Sequence, residues 1–163
     1  MTAGALMKVA MPENRAACRG INGAGELVLL VLRMLWALPC SFIGTLLGLP
    51  LLCVGANIKR VGRTWEIALA DTEMDAPLWA VRFKFSAITF GHVIIGASHD
   101  TLAHWRPHEH VHVQQYERWG VFFFFAYPAA SLWAWARGDC PYLGNAFERQ
   151  AYAVVLGQIR PDS

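Results

Sequence analysis

Residues 34–58, "MLWALPCSFIGTLLGLPLLCVGANI", carry no charge, and no other stretch restricts the fold of this chain so strongly. Twenty-five residues in a helix rise ~37 Å at ~1.5 Å each, more than the ~30 Å of a bilayer's hydrocarbon. Arg33 precedes the run and Lys59, Arg60 and Arg63 follow it, as basic residues flank membrane segments. Pro39, Pro50, Gly44 and Gly48 interrupt it, so a buried helical hairpin of a soluble protein and a shallow re-entrant hairpin remain competing solutions. Composition favours the membrane: 55% of the chain is hydrophobic and 16% charged, against roughly 25% charged in an ordinary soluble domain. The basic residues at the two ends nearly balance, so orientation is not readable.

Before this run, residues 1–26 hold small residues, a proline and glycines without an apolar period and read as a flexible leader. The apolar core begins too late and runs too long for a signal peptide. A net charge of +2 with scattered basic residues offers no footprint for nucleic acid, which is excluded as a partner. Cys18, Cys40, Cys53 and Cys140 form no CxxC pair, and two lie in the apolar run. They read as small buried hydrophobes in a reducing compartment.

After the basic flank the pattern changes. "TWEIALAD", "LWAVRFKFSA" and "ITFGHVIIGAS" alternate or are β-branched between glycines, which predicts three strands of a small antiparallel sheet. "SHDTLAHWRPHEHVHVQQYERWG" predicts a helix capped by Asp100 and ended by Gly120, with Pro107 kinking it or starting a second one. "VFFFFAYPAASLWAWA" is uncharged but, at ~24 Å, short for a crossing. Its tryptophans and Tyr127 suit a half-submerged or core helix. "GNAFERQAYAVVLGQIR" predicts a last helix with Asn145 as cap and Glu148 at the third position. The expected class is α+β, with a membrane helix or hairpin over 27–60 and a metal-binding domain over 61–163.

The chemistry concentrates at His108-Glu109-His110-Val111-His112. Positions i and i+4 of a helix share a face, so His108 and His112 converge on one metal ion, with the Glu109 carboxylate beside it. That is the zinc-hydrolase arrangement, in which two imidazoles hold the ion and a carboxylate takes a proton from the water the ion acidifies. His110 points roughly 200° away, and His104 stands ~12 Å along the axis from His112, so neither joins the site. Glu148 is the best third ligand, with a capping-box role as its competitor, and His92, His99 and Asp100 are weaker alternatives. Gln115 and Trp119 lie near the histidine face, where either would support an imidazole or simply pack.

"HEHVHVQQYERWG" followed by "NAFERQAY" resembles the zincin-like metallopeptidases of the gluzincin type, HExxH with a glutamate on a later helix. Over residues 30–155 the order of segments also looks like a family of small bacterial membrane-associated proteins. The resemblance implies a zincin-like minimal core, zinc held by His108, His112 and Glu148, Glu109 as general base, and a peptide or protein substrate laid along the strand "ITFGHVIIG", where His92 would touch it. Three functions compete: a membrane-anchored zinc hydrolase, a non-catalytic membrane protein binding metal for structure, sensing or handling, and a membrane module without metal. The lipid bilayer is the expected partner in each.

Overall fold

A computed structural model describes residues 15–83 and 85–157, with 15–22 as backbone only. The chain divides into two compact units, residues 1–32 and 33–163. In the first, helix α1, Arg15–Cys53, is already under way at Arg15, inside the stretch expected to be loose leader; residues 1–14 lie outside the described residues. The apolar portion Gly23–Cys53 is one helix of 31 residues, long and apolar enough to cross a membrane. Neither proline breaks it into a hairpin.

In the second unit a stripe of α1 made of Ala37, Cys40, Gly44 and Gly48 is buried, while Leu38, Phe42, Leu46 and Leu49 around it are exposed. The glycines are there for close approach. A Cβ on Gly44 would stand 2.8 Å from the Cβ atoms of Phe90 and Val93, and one on Gly48 would collide with the Ile67 side chain.

What α1 packs on is a four-stranded sheet of β1 (Asn57–Val61), β2 (Thr64–Ala68), β3 (Ala87–Phe90) and β4 (Val93–Gly96), in the order β1-β2-β4-β3. The fold class is α+β as expected, but the sheet is mixed, because β2 and β4 pair in parallel. "ITFGHVIIG" is a hairpin of β3 and β4. Its turn needs Gly91, at φ +59°, and a Cβ there would collide with the backbone and hydroxyl of Ser41. "LWAVR", expected as a strand, is instead the short helix α2, Leu78–Arg82.

Strand periodicity divides the sheet between two partners. Ile67, Val93 and Ile95 pack with Leu51, Leu52 and Ala56 on the α1 side. Ala68 and Ile94 pack on the other side with Leu102 and Val113 of α3, His99–Trp119. Ser98, not Asp100, caps α3, its hydroxyl accepting from the Thr101 amide at 3.0 Å. The helix continues through Pro107, whose missing donor leaves the Ala103 carbonyl on an exposed side of the helix. Helix α4, Phe123–Ala136, follows, and α5, Ala146–Val155, closes the unit. Cys40 is buried as expected, whereas Cys53 and Cys140 are exposed.

Glu66 also faces α3 and is 1% exposed. Arg106 donates to both its oxygens, at 2.8 and 3.0 Å. Arg106→Ala strands that carboxylate. Because Arg106 itself is partly exposed, a loss of about 2–3 kcal/mol is expected, at or below the lower end of the range for breaking a buried pair. The double change Glu66→Leu with Arg106→Leu should recover most of it. Chemical unfolding in detergent checks both, and a double variant no better than Arg106→Ala would show that packing, not charge, dominates there.

Candidate metal centre

The helical period brings His108, Glu109, His112, Gln115 and Tyr116 to the buried side of α3. Opposite them Asn145 caps α5, its Oδ1 accepting from the Phe147 amide at 2.9 Å. Its Nδ2 donates to the Tyr127 carbonyl at 3.0 Å and to Ser131 at 2.8 Å. The cap therefore also latches α5 to α4, and this aims Glu148 at α3.

Glu148 is 3% exposed and its carboxylate faces His108 and His112. His108 Nε2 and His112 Nε2 are 3.1 Å apart. Glu148 Oε2 lies 3.2 Å from the first, and Oε1 lies 3.3 Å from the second. Ligand atoms ~2.0–2.1 Å from a shared tetrahedral centre stand ~3.3–3.4 Å from one another. The two imidazole nitrogens stand close to that spacing, each faces a different oxygen of Glu148, and one ligand atom from each of the three side chains lies within 4.8 Å of the others. Glu148 Oε2 has no hydrogen-bond partner among the described residues despite its nearness to His108. A buried group of His108, His112 and Glu148 that could hold a metal ion is thus present.

The surroundings set the tautomer and the charge of these groups. Gln115 Nε2 donates to the Phe147 carbonyl at 3.1 Å, which can only accept, so its Oε1 faces His112 Nδ1 at 2.8 Å. That pairing puts the His112 proton on Nδ1 and a lone pair on Nε2. Burial works against the charged form of Glu148, but the imidazoles of His108 and His112 and the phenol of Tyr127 reverse it and hold the carboxyl below its ordinary range. Burial likewise lowers the His112 pKa, and the Glu148 and Glu109 carboxylates outweigh it and raise it. Gln115→Leu removes the tautomer-setting partner and is expected to weaken binding of a metal ion at this group ~10–100-fold. Competition with a chelator measures this, and unchanged affinity would remove Gln115 from the site.

Glu109, 6% exposed, is not in the ligand group. Its Oε2 accepts from Thr89 of β3 at 2.7 Å. With His108, His112, Glu148, Tyr127 and Tyr142 it lines a cavity of about 290 Å³ between β3, α3, α4 and α5. Burial raises the pKa of Tyr142, and burial together with the Glu148 carboxylate raises that of Tyr127, so both remain phenols.

The other expected residues are elsewhere. His92 sits in the β3–β4 turn, its amide donating to Ser41 at 2.9 Å and its Nε2 3.1 Å from Glu117, outside the cavity lining. It fastens the turn to α1 and α3. Trp119 packs edge-on against Phe147, also outside the lining. His99 and Asp100 begin α3, away from the ligand group, and His104 is exposed. His110 faces away, near Glu66 and Arg106. Sequence reasoning missed Thr89, Tyr127, Tyr142 and Tyr152. Tyr152, one turn beyond Glu148, packs on the His108 ring at 4.7 Å, and that i+4 spacing was the available signal.

No protein-family model, curated protein or solved structure matches the chain.

Proposed function

We propose that this protein is a membrane-associated, zinc-dependent hydrolase that cleaves peptide bonds. The observation that carries the reading is the Glu109 carboxylate, in the same cavity as the ligand group yet not part of it. The donor set, two imidazole nitrogens and one carboxylate oxygen, is that of a catalytic zinc site with a fourth position open. When bound, zinc supplies Lewis acidity, making water nucleophilic near neutral pH. Glu109 takes the proton of that attack and returns it to the leaving amine, while Thr89 holds the carboxylate's other function, its orientation. A peptide is favoured as substrate because β3 is an edge strand whose residues Ala87, Ile88, Thr89 and Phe90 line the cavity. An extended chain can pair there with its carbonyl beside the ligands. Membrane association rests on α1, read as crossing the bilayer.

Cleavage of a mixed peptide library by the zinc-loaded full chain in lipid tests this. Cleavage that stops on chelation and returns with zinc is expected. A fully loaded protein that cuts no peptide would overturn the reading and leave metal binding without hydrolysis.

A further inference from the structure

Helix α4 turns one side inward through Phe123, Tyr127 and Ala134. Its other side is just as apolar: Phe125, Leu132, Trp133 and Trp135 are 74%, 63%, 66% and 67% exposed, and Phe122 in the preceding turn is 58% exposed. No charge interrupts the sequence from Trp119 to Ala136. A helix that is apolar all round is stable only where an apolar medium covers it. Its 14 residues rise ~21 Å, too short to cross ~30 Å of hydrocarbon. What meets the outer side is indicated by its neighbour. Trp36 of α1 contacts Phe122 at 6.2 Å, Gly120 leaves room for the Trp36 indole where a Cβ would not, and Ala37 and Cys40 share a core with Phe123. The outer face of α4 thus continues the exposed apolar surface of α1.

We propose that α4 is a second membrane-contact element, lying along the boundary of headgroups and acyl chains beside α1, with the lipid bilayer as its occupant. Tryptophans near its C-terminal end, with Arg137 over the Trp133 ring at 6.0 Å, suit that boundary. Because α4 also contributes Phe123, Phe124, Tyr127 and Pro128 to the cavity, the metal centre sits at the bilayer surface and takes substrate segments held close to it. The inference rests on α1 crossing the membrane, and it is independent of hydrolysis.

The unmodified full chain is placed in phosphatidylcholine vesicles carrying a phospholipid with a carbene-generating diazirine on one acyl chain, irradiated, and its adducts mapped by mass spectrometry. Adducts are expected on Phe42 and Leu46 of α1 and on Phe125 and Leu132 of α4. Those on α4 should be several-fold more abundant with the diazirine near the headgroup than at the chain end. Adducts on α1 with α4 clean, whether α4 is in water or covered by a second copy, would overturn the proposal and leave the crossing intact. Adducts on neither would overturn the crossing and this proposal with it.

Discussion

His112→Ala is expected to purify with less than a tenth of the zinc of the native chain, which should carry one ion per molecule. His112 Nε2 faces both remaining ligands, at 3.1 Å from His108 and 3.3 Å from Glu148, so its removal leaves two donors for an ion that requires three from protein. The affinity should fall by more than the ~10–100-fold that loss of a supporting hydrogen bond costs. Glu148→Gln tests the carboxylate with little change of shape, and His110→Ala, on the other side of α3, should keep full metal. Elemental analysis of the native chain and the three variants decides the matter. Stoichiometric zinc in His112→Ala, or none in the native chain, would dismantle the site.

The histidine pair was legible because it depends on one local rule, the helical i to i+4 relation, which places His108 and His112 together and keeps His110 apart. Glu148 was legible through its place near the start of a capped helix, although the sequence did not decide between capping and ligation. Its placement is tertiary: Asn145, tied to α4, turns the first turn of α5 toward α3 and brings the Glu148 carboxylate beside the two histidines. Thr89 was hidden for the same reason, since its partner Glu109 is twenty residues away and only strand pairing brings them together.

The misread elements show what local pattern cannot carry. In "LWAVRFKF" apolar and basic residues alternate, but five residues of helix, with Pro77 as the residue before it, are too few for a 3.6-residue period to register. β1 reads as a membrane flank because Lys59 and Arg60 are what an exposed edge strand carries. In β2, Glu66 occupies a polar position that alternation assigns to solvent, yet Arg106 neutralises it against α3, so that every residue of the strand but Trp65 is buried. The parallel pairing of β2 with β4 is a choice between distant segments. α1 runs on through Pro39 and Pro50, and between them its glycines lie against the sheet.

Glu109→Gln should separate metal binding from hydrolysis. The amide is nearly the same size as the carboxylate, and its oxygen can still accept from Thr89, now 2.7 Å from Glu109 Oε2. Fold and zinc content should therefore be unchanged. An amide cannot take up the proton released when water attacks, so kcat/KM for a peptide that the native chain cleaves should fall by ~10²–10⁴, the usual contribution of a positioned general base. Thr89→Val should give a smaller loss at unchanged zinc, because it frees the carboxylate to rotate without removing it. The comparison is made at matched metal occupancy, so that a lost ion cannot imitate a lost base. If the glutamine variant cleaves as fast as the native chain, Glu109 is not the base, and the cavity's metal serves binding alone or acts through a group other than the one its geometry indicates.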